Sequence, residues 1–268
     1  MRKISGIVSA LAGSLLLVVP VTTAQAATTV KTFTFNIHHG AGTDGKLDLE
    51  RTAKAIEASG AGIVGLQEVD RNFDARSNWV DQAAWLATRL NMNYVFAANL
   101  DWDPPEAGKP RRQYGTAVLS KYPIVDSRNT PLPKVGDEEQ RGLLEAVIDV
   151  DGTPVRFADT HLNNATAAER QQQATAIVGL LGNAAEPVVL VGDLNAVPTT
   201  TEIKTLTARW KDTWTEVGIG LGYTSSVPLP TRRIDYVLHS SGLKATAAAV
   251  PSTFASDHYP VSATFTLG

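Results

Sequence analysis

Residues 47–70, LDLERTAKAIEASGAGIVGLQEVD, decide the fold class. Leu49, Ala53 and Ile56 recur at helical spacing on one face and Gly60 supplies a stop, so residues 48–59 read as a helix. Residues 62–69, GIVGLQEV, are a short apolar run of the kind that forms a strand covered on both faces, and it carries a carboxylate, Glu68, near its end. Residues 166–198, TAAERQQQATAIVGLLGNAAEPVVLVGDLNAVP, repeat the order helix, glycine, apolar strand, carboxylate, with Asp193 at the point held by Glu68. Thr166 and Glu169 form a T-x-x-E capping box there, and Ala174, Ile177, Val178 and Leu181 make the buried stripe. Two such units suggest two α/β halves whose strands end at a shared cleft.

Working outward, residues 30–37, 94–98, 114–119, 187–191, 234–238 and 261–267 read as strands, and residues 79–90 as a second helix. Residues 143–150 and 155–160 form a hairpin around Asp151-Gly152. Thr199 and Glu202 cap a short helix running to Trp210. The loop DWDPPEAGKPRRQ, residues 101–113, is long enough to shape a pocket, and its Trp102 either stacks on a substrate ring or pins the loop. Strands alternating with helices and mixed with hairpins imply an α/β sandwich.

The N-terminus has the pattern of a signal peptide. Arg2 and Lys3 precede an apolar run over residues 7–21, and Ala24-Gln25-Ala26 supplies a small-x-small cleavage pattern. The expectation is a signal peptide over residues 1–26 and one secreted domain over 27–268, with no linker dividing it. The apolar run is short for a membrane span and Pro20 interrupts it, so no transmembrane anchor is expected. The chain has no cysteine, which excludes disulfides, thiolate metal sites and cysteine nucleophiles. Its net charge is −3, and loss of residues 1–26, which carry two basic residues and no acid, takes it to −5. That balance weighs against a surface built to hold long nucleic acid. Arg111-Arg112 and Arg232-Arg233 are either local basic patches or solvated turns. No stable protein partner is expected.

Polar, metal-competent residues gather at strand ends: TFNIHHG (34–40), LQEVD (66–70), DTHLNN (159–164), GDLN (192–195), RIDYV (233–237) and SDH (256–258). Taken singly each has an ordinary explanation. Asp193-Leu194-Asn195 suits a turn, Glu68 a buried ion pair, and His161 a core imidazole bonded to backbone. His239 reads as structural or solvated. His38 and His39 suit an exposed loop, and on a strand at most one of them would point into a site. Yet Asp235 lies within an apolar strand, where an acid costs several kcal/mol unless paired or liganded. Several such carboxylates with matching imidazoles argue for a divalent cation and for His–Asp pairs.

The ordered set NIHHG, LQEVD, GTAVLSKYPI, DTHLN, GDLN, RIDYVL and SDHYPV resembles the endonuclease/exonuclease/phosphatase superfamily, which includes DNase I, AP endonucleases, sphingomyelinases and inositol polyphosphate 5-phosphatases. The resemblance spans essentially the whole of residues 27–268. It implies a DNase I-like four-layered α/β sandwich, with two packed mixed β-sheets flanked by helices, and Mg²⁺-dependent (or Mn²⁺- or Ca²⁺-dependent) cleavage of a P–O bond. It implies Glu68 and Asn36 as metal ligands, with Asp257 an occasional further contact. It implies Asp193 and Asn195 to position or activate water, Asp235 and His258 as a carboxylate–imidazole dyad, and His161 to bind a phosphoryl oxygen or protonate the leaving group.

These motifs read phosphate rather than the remainder of the substrate. A phosphodiester in nucleic acid, a phospholipid head group or a small diester fits them. A phosphomonoesterase on sugar or inositol phosphates is the alternative within the class. A catalytically silent binding module is the alternative from another class, and the presence of competent residues at every matched position argues against it.

Overall fold

In the computed structural model, which describes Met1 and residues 28–267, twelve strands form two six-stranded sheets. The segment expected to be a signal peptide lies outside the described residues, Met1 apart. The first half contains β1 (Thr29–Asn36), α1 (Leu49–Ser59), β2 (Ile63–Arg71), α2 (Gln82–Leu90), β3 (Asn93–Trp102) and β4 (Arg112–Ser120). The second contains β5 (Ile124–Pro131), β6 (Gly142–Val150), β7 (Thr153–His161), α3 (Ala167–Leu181), β8 (Val188–Asp193), α4 (Thr201–Thr207), β9 (Lys211–Asp212), α5 (Thr213–Val217) and β10 (Asp235–His239). β11 (Leu243–Ala249) and β12 (Val261–Leu267) return to the first sheet.

The strand orders, β11-β12-β1-β2-β4-β3 and β5-β6-β7-β8-β10-β9, match position by position. In each sheet one parallel pair, β1/β2 or β7/β8, is joined through a helix, and antiparallel strands flank it. The two look-alike stretches therefore occupy equivalent places in two α/β halves.

Period-2 alternation sorts the side chains into layers. Val30, Ile63, Phe157, Val189, Val191 and Val237 meet in a core between the sheets. Phe33, Phe35, Val64 and Leu66 face the other way, in the cluster that includes Ile56 of α1 and Leu86 of α2. Leu190, Tyr236 and Leu238 do the same with Ile177 of α3 and Leu206 of α4. The result is the DNase I-like four-layered sandwich. Gly65 lets the sheets come close, since a Cβ there would meet Val191 Cγ2 at 2.6 Å.

Several boundaries differ from the sequence reading. α2 begins at Gln82 rather than 79, because the Asp81 carboxylate accepts from Ala84 N and caps the helix. The cap of α4 is Thr200, not Thr199, and the helix ends at Thr207. Thr166 caps α3, but Glu169 does not complete the box; its carboxylate accepts from Val135 N and Gln173 Nε2. β3 and β4 take up both ends of the expected Pro-rich loop, leaving residues 103–111. Edge strand β5 and strand β11, also at an edge, were not legible, being polar or alanine-rich as unpaired edges commonly are.

Candidate active site

The alternation that builds the core also builds the site. On β1, Val30 faces the opposite sheet, so Thr32, Thr34 and Asn36 do as well; on β8 and β10, Val189, Val191 and Val237 carry Asp193 and Asp235 to that side. His161, Asp193 and Asp235 are register partners across β7, β8 and β10, forming a row. Glu68 breaks the alternation of β2. The strand shifts register between Leu66 and Val69 and Glu68 takes a left-handed φ of 58°, a bulge that re-aims its side chain.

His258 Nδ1 lies 2.9 Å from Asp235 Oδ2, and its Nε2 lies 3.7 Å from Asp193 Oδ2. His161 Nε2 reaches the same Asp193 oxygen at 3.6 Å. Asn36 Nδ2 donates to Glu68 Oε1 at 2.9 Å and to Asp193 Oδ2 at 3.1 Å, tying the two halves together. The Asn36 side-chain oxygen Oδ1 accepts from His38 N. Asn195 N donates to Asp193 Oδ1, and its side-chain amide donates to Leu162 O. Asp257 is exposed, with Oδ1 at 3.8 Å from His38 Nδ1. Six of the eight expected residues thus form a continuous hydrogen-bonded or ion-paired cluster, His161 lies against it at 3.6 Å, and Asp257 stands at its rim.

Burial works against the charged form of His258, but Asp235 and Asp193 outweigh it and raise the ring to about 10. Burial and the Asp235 carboxylate push Asp193 up to about 7. His258 is thus held as an imidazolium, while the neighbouring Asp193 carboxyl gives up its proton less readily than an ordinary aspartic acid. His161 is the opposite case: burial, then the charges of Arg141 and His258, hold it well below its ordinary value. Arg141 Nη1 lies 3.1 Å from His161 Nδ1, and a guanidinium only donates. Nδ1 therefore accepts, and the ring proton sits on Nε2, facing Asp193.

His38 and His39 overturn the strand-based expectation that at most one points inward. They lie on a left-handed turn, His38 at φ 46° and His39 at φ 44°, and their ring nitrogens converge on Glu68. Burial and the Arg76 guanidinium push His39 down to about 4. Left-handed backbone at His38, His39, Glu68 and Asn195 costs about 1 kcal/mol or more at each, strain typical of functional sites. Donor chemistry here suits a divalent cation: the Glu68 carboxylate, the Asn36 carbonyl and the Asp257 carboxylate are hard oxygens, and His38 Nδ1 is buried with no hydrogen-bond partner among the described residues.

Arg141 was not picked out as a site residue. It is 3% exposed, pairs with Glu139 at 2.7 Å, and keeps a buried Nε without a partner among the described residues. Its signal was a cation set directly before the apolar run GLLEAVI. His239 is structural, fully buried between Thr213 and Glu216. Trp102 packs on Phe73, ring centres 5.0 Å apart, and holds the end of its loop. Arg111 pairs with Asp101 and Asp103, Arg112 with Asp74, and Arg233 with Asp212, so these residues form no free basic patch.

The chain is 28% identical over 251 residues to the uncharacterized protein YbhP of Escherichia coli (strain K12), covering 87% of this chain and 94% of that one. A solved endonuclease/exonuclease/phosphatase from Beutenbergia cavernae superposes with a TM-score of 0.74 at 28% identity, covering 90% of this chain and 72% of that one. The mannosyl-6-phosphatase Bt3783 of Bacteroides thetaiotaomicron shares the fold, with a TM-score of 0.71 at 17% identity, covering 87% of this chain and 98% of that one. The model of the Endonuclease/Exonuclease/phosphatase family matches residues 33–258, a span holding every residue of the cluster just described. With that match over most of its length, the chain belongs to the endonuclease/exonuclease/phosphatase family, whose members are hydrolases of phosphoesters.

Proposed function

We propose that the chain is a secreted, metal-dependent phosphodiesterase that hydrolyses a P–O bond by attack of water. One observation carries this reading: Asp193 lies against both imidazoles, at 3.6 Å and 3.7 Å, and is bonded through Asn36 to Glu68. A carboxylate so placed takes a proton from an attacking water. The His258 ring, pinned by Asp235, faces developing negative charge on the phosphoryl oxygens. His161 offers its Nε2 proton to a phosphoryl or leaving oxygen, and Arg141 holds that tautomer while presenting a spare N–H. A divalent cation held by Glu68, with Asn36 and Asp257 beside it, would supply charge neutralisation at phosphorus. The acidic balance and the paired arginines favour a small diester over long nucleic acid.

Bis-p-nitrophenyl phosphate tests the activity. Release of nitrophenol that EDTA stops and added metal restores is expected; silence with every divalent metal supports a binding module instead. The phosphomonoesterase reading draws on the shared fold with a mannosyl-6-phosphatase, and faster turnover of p-nitrophenyl phosphate would favour it. For secretion, N-terminal sequencing of protein recovered from culture medium is expected to read from Ala27, Ala-Thr-Thr-Val. Retention of the full chain in the cell would count against export.

A further inference from the structure

We propose that His38 and His39 complete, with Glu68, a nitrogen-bearing metal site that selects a borderline transition ion such as Zn²⁺ or Co²⁺ over Mg²⁺. The inference takes from the proposed function only that Glu68 holds a divalent ion. The chain leaves β1 at Asn36 and turns left-handed through His38, His39 and Gly40, at φ 46°, 44° and 80°. A continued strand would send the two rings to opposite faces. The turn instead stacks them edge to face, 4.5 Å between centres. One ligand atom from each ring and one Glu68 oxygen all lie within 4.8 Å of one another. Two metal–ligand bonds set end to end span about 4.2 Å, so small side-chain adjustments close the set around one ion. His38 Nδ1 has no hydrogen-bond partner among the described residues, and the Asp257 carboxylate stands 3.8 Å from it, too far to bond directly.

The donor types decide the ion. Mg²⁺ takes oxygen and keeps its waters, whereas imidazole suits Zn²⁺ and its first-row neighbours. Two imidazoles with one carboxylate form the three-ligand set of catalytic zinc sites, which leaves a coordination position open. All three residues are only half-buried, so that position is reachable from solvent.

The test uses the protein as recovered after export, freed of metal with EDTA and titrated with Co²⁺, Zn²⁺ and Mg²⁺ by calorimetry and visible absorption. One Co²⁺ per chain is expected, with d–d bands that Zn²⁺ abolishes, bound at least about 100-fold more tightly than Mg²⁺. His38→Gly and His39→Gly keep the left-handed backbone available, so they remove the ligand without adding strain. Each is expected to weaken Co²⁺ by about tenfold or more and to alter the bands. Wild-type affinity and bands in both variants, with circular dichroism confirming that they are folded, overturn the site. So does a wild-type protein that binds Co²⁺ no better than Mg²⁺. Histidine-dependent Co²⁺ binding with no hydrolysis of any phosphoester would instead remove the proposed function and leave this site standing.

Discussion

Asp193 accepts from Asn36 at 3.1 Å and lies 3.6–3.7 Å from two ring nitrogens, so small changes around it should register in turnover rather than in folding. Glu68→Gln and His258→Gln keep side-chain volume and hydrogen-bonding capacity while removing a charge. Each is expected to lower kcat by about 10²–10⁴-fold with an unchanged far-ultraviolet spectrum. Near-normal rates in both, with metal present, would refute the assignment. Arg141 makes a subtler prediction. It touches His161 Nδ1 directly, and bonds to charged groups are worth about 1.5–3 kcal/mol. Arg141→Gln should therefore lower kcat/KM by about 10–100-fold, read in steady-state kinetics, and the loss should be smaller in a His161→Ala background because the two act together.

Between the elements β2 and β7, one polar contact crosses the otherwise apolar core that joins the sheets. Gln67 Nε2 donates to Asp159 Oδ1 at 2.6 Å, both residues being fully buried. Gln67 Oε1 and Asp159 Oδ2 have no partner among the described residues. A proton on Asp159 satisfies both as an acid–amide pair, and burial holds the Asp159 carboxyl well above the usual carboxylate range, against the pull of Gln67. An acid raised on folding stabilises the fold below its unfolded pKa, about 3.9, and that contribution is lost as pH climbs through the folded value. Asp159→Asn cannot ionise. Its Tm advantage over wild type is expected to grow as pH rises above the unfolded value of about 3.9. An advantage that shrinks over that range in calorimetry would mean the carboxylate is ionised in the fold. The helices and central strands were legible because their patterns are local: α1 shows its buried stripe and its Gly60 stop in sequence. The start of α2 was not, because the Asp81 cap outweighs the aromatic Trp79 before it.

At the scale of the molecule, the site spans both sheets: Glu68 and Asn36 belong to one, His161, Asp193 and Asp235 to the other. An ion on Glu68 and its neighbours binds ligands that only the folded chain brings together, from β1, β2 and the segment before β12, so it should stabilise the fold. Saturating Mn²⁺ at about 100 times its Kd is worth about 2.7 kcal/mol. For a domain of this size each kcal/mol moves Tm by about 2–4 °C, so a rise of about 5–10 °C over the EDTA-treated protein is expected in differential scanning fluorimetry. No shift at saturation would argue against a metal bound at Glu68.

The sequence by itself determined the α/β sandwich, the doubled α/β unit and which polar residues end up at strand ends. All of these follow from periodicities of 2 and 3.6 residues and from short motifs. Only the tertiary structure decided how those ends meet. The bulge that turns Glu68 inward, the left-handed turn that brings His38 and His39 to it, and the approach of Arg141 to His161 depend on backbone angles and on contacts between segments far apart in the chain. Such conformations cost energy locally and persist only where packing on both sides imposes them, so a local pattern does not encode them.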